Sequence, residues 1–212
     1  MKLGEIKLQA LMMIFPSEVL EYDEDSIQEV IFNLKSSTSY SPYLAMSCGA
    51  INRGFSVIEQ RGIGELDCFH LNLLSGKREG EYIVFDISEY SDISKIKNVY
   101  LSLYDIRVSL DFYLVGKYLY IKTQRGSGDI TIEYLKKLPR ITHATDDLTE
   151  INLPYGIESF IPYFVKADLL LGENYEESEA SRLTFEKLLD SSLAFGDEST
   201  QFNSVYRVGS VR

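Results

Sequence analysis

The chain has 212 residues, 45% of them hydrophobic and 25% charged, enough for one large domain, or one domain with a sizeable insertion, around a real core. Its formal net charge of -11 argues against a general nucleic-acid or membrane-surface binder, which needs a basic face. Two cysteines and two histidines, with no CxxC, are a poor ligand supply for a structural zinc site, and the free thiols of Cys48 and Cys68 suit a reducing compartment.

At the start, "MKLGEIKLQALMMIF" is too polar for the h-region of a signal peptide. Leu3, Ile6, Ala10, Leu11 and Ile14 recur at helical spacing, so residues 2–14 are expected to form an amphipathic helix that Pro16 stops. A shorter helix is expected over 25–34, with Asp25 or Ser26 as its cap and Ile27, Val30, Ile31 and Leu34 as its stripe. After the polar loop "KSSTSYSP", a third helix is expected over 42–60. Leu44, Cys48, Ile51, Phe55 and Ile58 form its 4-3-4-3 seam, and Gly62 and Gly64 end it. No stretch approaches the roughly 18 apolar residues of a membrane-spanning helix.

From about 66 to 145 the period changes. "CFHLNLL", "EYIVFDI", "NVYLSLY", "FYLVGKYLYIKT" and "DITIEYLKKL" are short, partly alternating and rich in Tyr, Val, Ile and Phe, which predicts about five strands. "TQRGSGDIT" between two of them is a hairpin signal. The tyrosine-rich composition, 15 Tyr with no Trp, suits strands and also suits interfaces that stay partly wet. "ITHATDDLTEINLP" returns the chain to helix. Residues 155–172 place Ile157, Phe160, Ile161, Phe164, Val165 and Leu171 on one side, with Pro162 a kink or the true start. A last helix is expected over 176–195, opening in acids.

The fold class read from this order is α+β. Residues 1–64 and 146–196 supply the N- and C-terminal helices of one bundle, 65–145 form an inserted antiparallel β-domain, and 197–212 form an extended tail. Neither group of helices can bury its stripe alone.

Signatures of chemistry are missing. There is no GxGxxG, Walker loop, HExxH or GxSxG, and the glycines of "GIGE" at 62–65 follow a helix and not a strand. His70 and His143 stand beside no nucleophile or acid at motif spacing. "EYDEDS" and "ENYEESE" lack EF-hand spacing and suit solvated turns. No cofactor or metal is therefore expected, and no enzymatic activity. Asp168 and Arg182 are harder to place, because each falls on the apolar stripe of its helix. A buried charge needs a partner, so the two are expected to form a structural ion pair across the last two helices.

Four stretches carry a resemblance: "EIKLQALMMIF", "YLAMSCGAINRGFSVIEQRG", "LPYGIESFIPYFVKADLLLGENYEESEASRLTFEKLL" and the closing "NSVYR". Together they cover about half the chain and resemble the head–tail connector (adaptor) proteins of tailed phages and prophages. "AINRGF" and "IPYFVKADL" are the strongest signatures. The inserted strands match only in pattern.

The resemblance implies a structural virion protein, made in the host cytoplasm and placed in the neck. It implies a ring, commonly of twelve copies, docked on the portal protein, which extends the DNA channel and offers a platform to the tail or the next neck protein. DNA passes without sequence-specific contact, and no membrane is involved. An acidic chain fits such a channel, since a basic lumen would hold phosphates. In similar adaptors a C-terminal extension reaches the portal. Here the last twelve residues carry +2 against -13 on the first 200, and Phe202, Val205, Tyr206, Arg207 and Arg212 are the expected docking residues, a frayed terminus being the plain alternative. On the third helix Ala45, Gly49, Asn52 and Ser56 form a small-residue strip beside Arg53. Asn52, Arg53 and Ser56 are expected at the subunit interface, an exposed arginine without a partner being the alternative. Another neck or tail-terminator ring shares this profile. A small-molecule binding module is the reading from a different class, and it requires a deep apolar pocket among the strands.

Overall fold

Helical periodicity and its breakers set the first elements. In the computed structural model, which describes residues 1–16, 22–23, 25–103 and 106–205, α1 (Leu3–Ile14) buries Leu3, Ile6, Leu8, Ala10 and Leu11 and ends before Pro16. Its buried surface is wider than one stripe and takes in Gly4 and Lys7. α2 (Ile27–Lys35) follows Ser26, whose side chain does not cap the helix. Ser26 instead exchanges hydrogen bonds with Asp23, its N–H donating to Asp23 Oδ1 at 2.8 Å and its Oγ accepting from the Asp23 N–H at 2.9 Å, a local turn that competes with capping. α3 (Ser41–Gln60) buries Leu44, Cys48, Ile51, Phe55 and Ile58, the seam expected from spacing, and Gly62 at φ 74° follows it in the left-handed conformation that glycine adopts without penalty.

Among the described residues the strand region holds eight strands: β1 (Leu66–Asn72), β2 (Lys77–Glu79), β3 (Tyr82–Asp86), β4 (Ile93–Leu103), β5 (Ile106–Ser109), β6 (Phe112–Val115), β7 (Tyr118–Lys122) and β8 (Asp129–Lys136). All pairings are antiparallel, in two four-stranded sheets of order β1-β8-β4-β5 and β2-β3-β7-β6. Phe69, Ile83, Phe85, Val99, Leu101, Leu119, Ile121, Ile130 and Ile132, drawn from both sheets, share one core, the arrangement of a sandwich. The expected single run "FYLVGKYLYIKT" is two strands turned at Gly116, φ 60°. "TQRGSGDIT" is not a hairpin. β7 and β8 lie in different sheets, so the segment carries the chain from one sheet to the other.

Beyond the sandwich, residues 140–153 are not helical. This loop is held by its backbone: the N–H groups of Leu3 and Gly4 donate to the carbonyls of Thr149 and Asp147 at 2.9 and 2.7 Å. Lys2 bridges Glu150. A 3-10 segment (Pro154–Phe160) is kinked at Tyr155 and Gly156, both with positive φ. Pro162 then marks the true start of α4 (Ile161–Leu170), because a missing N–H costs nothing in the first turn. α5 (Tyr175–Val205) runs ten residues past the expected end at 195. The segment expected to be extended from 197 is thus helical to Val205.

The chain divides into two compact units, Met1–Val57 with the chain from Arg140 onward, and Ile58–Pro139. In the first, α1 packs against α2 and α4, and α4 against α5. Leu8, Leu11, Ile27, Ile31, Leu34, Tyr40 and Leu44 form a core shared by α1, α2 and the start of α3. The second unit is the sandwich.

Candidate functional site

The residues singled out on α3 lie at a junction with α4 and with the loop after Arg140. Asn52 is partly buried, and its amide closes a two-way bridge on one residue. Nδ2 donates to the Ile141 carbonyl at 2.7 Å, and Oδ1 accepts from the Ile141 N–H at 2.9 Å. Cys48, one turn earlier, reaches the Thr142 carbonyl at 3.7 Å. Asn52 is therefore spent inside its own chain, satisfying both backbone groups of a residue that no secondary structure serves. Ser56 is exposed and donates to the Asn52 carbonyl at 3.0 Å.

Arg53 has a partner, and that partner is Asp168 on α4. Nε donates to Oδ1 at 2.9 Å and a terminal nitrogen to Oδ2 at 2.5 Å. This fork-on-carboxylate geometry is the one in which arginine outperforms lysine. Hydrogen bonding to Asp168 raises the guanidinium further above its already high value. The Arg53 side chain is 58% exposed and that of Asp168 18%, so the pair sits at the surface with its acid end sheltered. Gly54 makes the approach possible: a Cβ there would lie 3.1 Å from the Phe164 ring.

The expected pair of Asp168 with Arg182 does not form. Arg182 Nε lies 4.0 Å from Glu186 on its own helix, and its guanidinium sits 6.0 Å from the centre of the Phe164 ring. Asp168 and Arg182 do line one small cleft with Phe164, Ala167, Leu171 and Ser178, but Arg53 takes both oxygens of Asp168. Among the described residues, Lys166 and Glu177 form an ion pair between α4 and α5, at 2.6 Å. Beside it the buried Ser178 hydroxyl donates to the Ala167 carbonyl at 2.7 Å. Sequence reasoning missed both, and it also missed Lys7, which is buried against Asp147 at 2.6 Å. Lys7 carries a legible signal, a lysine on the apolar side of a helix, as Asp168 and Arg182 do.

Of the expected docking residues, Phe202 and Val205 fall on α5. Tyr206, Arg207 and Arg212 lie outside the described residues.

The sandwich unit has a groove of about 640 Å³ whose lining includes Lys77, Glu79, Val84, Asp86, Tyr118 and Tyr120. It is open and half polar, and three of its charged side chains already have partners, Lys77 with Glu79 and Asp86 with Lys117, each at 2.8 Å. The Lys117 bond, with those from Ser88, pulls the Asp86 carboxyl down to about 2. Between the sheets the space is filled by core side chains, where a deep apolar pocket was the requirement of the small-molecule reading. Cys68 is exposed, Cys48 is buried, and His70 meets Thr131 Oγ1 at 3.0 Å across β1 and β8. Among the described residues no group of three His, Cys, Asp or Glu is placed to hold a metal ion, and no helix is long and apolar enough to cross a membrane.

No family model matches the chain, and no curated protein matches it in sequence.

Proposed function

We propose that this chain is a head–tail connector of a tailed phage: a structural protein of the virion neck that forms a ring on the portal, extends the DNA channel and receives the tail or the next neck protein. One observation carries the reading. The two strongest signatures of the resemblance, "AINRGF" on α3 and "IPYFVKADL" on α4, touch each other through Arg53 and Asp168 and through Gly54 and Phe164. Two motifs more than a hundred residues apart thus form a single physical feature. A resemblance by chance in two short strings gives no reason for them to meet.

Two further points support it. The stretches that resemble connectors fall almost wholly in the helical unit, and the strands that match only in pattern make up the other unit. This suits a helical bundle of the connector type carrying an inserted β-domain. The charge of -11 suits a wall past which DNA slides, because a surface that neutralises few phosphates releases few counterions and gains little by holding the strand. The terminal segment with Arg207 and Arg212 remains the proposed portal-docking end, reached through a helix and not through an extended arm.

Electron microscopy of the full chain mixed with its capsid portal tests the reading. A closed ring, coaxial with the portal and of matching or related symmetry, is the expected result. A chain that neither binds the portal nor occurs in the neck of purified virions ends the proposal.

A further inference from the structure

Asp168 is the acid of a junction on which two arginines converge, all of it within the helical unit. Arg53 on α3 takes both of its oxygens. Arg182 on α5 lines the same cleft as Asp168, with Phe164, Leu171 and Ser178. The cleft holds about 20 Å³, room for about one water molecule and for no larger ligand. Its charges are therefore there for one another.

The packing of α4 on α5 sets how far Arg182 stands from the acid. The Ser178 hydroxyl donates to the Ala167 carbonyl at 2.7 Å, and Lys166 pairs with Glu177 at 2.6 Å. Farther from the turn, Phe164 meets Phe185 at 5.2 Å between ring centres and the Arg182 guanidinium at 6.0 Å. Asp168 directly follows Ala167, so it stands near Ser178, which is one turn before Arg182 on α5. Side chains on a helix lean toward its N-terminus. For Arg182 that direction leads to Ser178, and so to Asp168. A change of rotamer covers the distance, and no helix has to move.

The two arginines are held differently. The Arg53 fork lies against Gly49, one turn back on α3, where a Cβ would be 3.3 Å from one terminal nitrogen. Arg182 has a looser hold. Its Nε is 4.0 Å from Glu186, and the two side chains are 49% and 42% exposed, so leaving that partner costs little. Lys166 is no rival for the acid, because it is itself sheltered and engaged by Glu177. The group that suffers when a partner leaves is Asp168. Its carboxylate is mostly shielded from water, and a shielded charge without a partner is costly.

We propose that Asp168 is a two-position switch: Arg53 is its partner in the free chain, and Arg182 takes that place when Arg53 is drawn away. In the second state α4 is pinned to α5 in place of α3. Arg53, already more than half exposed, then presents its whole guanidinium fork to solvent. Such a fork suits a carboxylate offered from outside the chain, and Arg182 lowers the cost of releasing it. The exchange goes beyond the connector reading and is measured on the isolated chain, so either can fail without the other.

The test is a double-mutant cycle between Asp168→Asn and Arg182→Met in urea unfolding of the full chain, run with Arg53 present and again with Arg53→Ala. With Arg53 present the two changes are expected to add. Without it they are expected to couple, by about two- to fivefold in the unfolding equilibrium constant. Arg53→Gln, which keeps most of the apolar stem on the helix, serves as a second background. The Arg182 Nε–H resonance is expected to shift on Arg53→Ala, and to stay in place when Asp168→Asn is already present. Additivity in all three backgrounds overturns the proposal, as does equal coupling with and without Arg53. So does an Arg182 resonance that ignores Arg53→Ala, or one that moves as far without the Asp168 carboxylate.

Discussion

Arg53 and Asp168 show how a surface ion pair decides a helix junction. With Arg53 58% exposed and Asp168 18%, solvent screens the pair, and its coupling belongs at the upper end of exposed pairs, about 0.5–1 kcal/mol, because the geometry is bidentate. A double-mutant cycle with Arg53→Ala and Asp168→Ala in urea unfolding is expected to return that coupling, while Asp168→Asn with Arg182→Met is expected to be additive. The reverse result would restore the pairing across α4 and α5. A second prediction concerns Tyr134. Its ring lies in the sandwich core against Phe69, 5.6 Å between centres, and its hydroxyl donates to Asp92 at 3.2 Å. Burial first, and then the bond to Asp92, push the phenol from 10.0 up to about 12. The sign follows from linkage: the folded state binds this proton more tightly, so the contribution is whole below pH 10 and is lost as pH rises through 12. The urea midpoint of the sandwich unit is expected to fall between those values, and Tyr134→Phe to remove that part of the fall. An equal alkaline fall in the variant would assign the effect to other groups.

Elements were legible wherever one face is buried and the other is not. The α3 seam was read correctly because five apolar residues at 4-3-4-3 spacing leave one solution, and all five are buried. β2 was hidden because an edge strand of Lys77, Arg78 and Glu79 carries no apolar alternation at all. The β6–β7 turn was hidden for the opposite reason: Leu114 and Val115 are both exposed and both apolar, which erases the period that marks a strand end. The junction residues were half legible. Asp168 was rightly picked as a charge needing a partner, but spacing along one helix does not say which neighbour is nearer. Arg182 is adjacent in sequence order, whereas Arg53 is 115 residues away. Glycines carry a related signal. At Gly4 a Cβ would lie 2.3 Å from Ile27 Cγ2 and 3.1 Å from the Asp147 carbonyl oxygen, so α1 rests on α2 and on the 140–153 loop with no room for a methyl group. Gly4→Ala gains about 1 kcal/mol of helix propensity and loses about 1–3 kcal/mol to overpacking. Backbone on one side does not yield, so the loss is expected to win, with a lower thermal midpoint. A raised midpoint would mean that the α1–α2 contact relaxes freely.

At the scale of the whole molecule, the path of the chain makes each unit self-sufficient. The sandwich unit is entered at β1 and left at β8, and these are hydrogen-bonded neighbours, with Leu66 opposite Leu135. The Lys136 N–H donates to the Glu65 carbonyl at 2.9 Å, and Glu59 accepts from the Leu138 N–H at 2.7 Å. Both ends of residues 58–139 are therefore tied to each other. The helical unit closes its own gap in the same way, since Asn52 grips Ile141 through both backbone groups. Ends that meet are what allow one unit to sit within the sequence of another without strain on either. Each unit also has a core from its own residues, Leu8 to Leu44 in one and Phe69 to Tyr134 in the other. From this we expect residues 58–139, expressed alone, to fold. Amide resonances should be dispersed as in an antiparallel sheet, and Gly76→Ala should abolish the dispersion, because its Cβ would have to displace Ile83 and Phe85 at once. An 82-residue piece buries a smaller share of its surface than the whole chain and is expected to be less stable for that reason alone. The decisive readout is cooperative unfolding and not a high midpoint. A collapsed spectrum without a cooperative transition would mean that the sandwich depends on the helical unit, and that the cut at Ile58 and Pro139 divides a single folding unit.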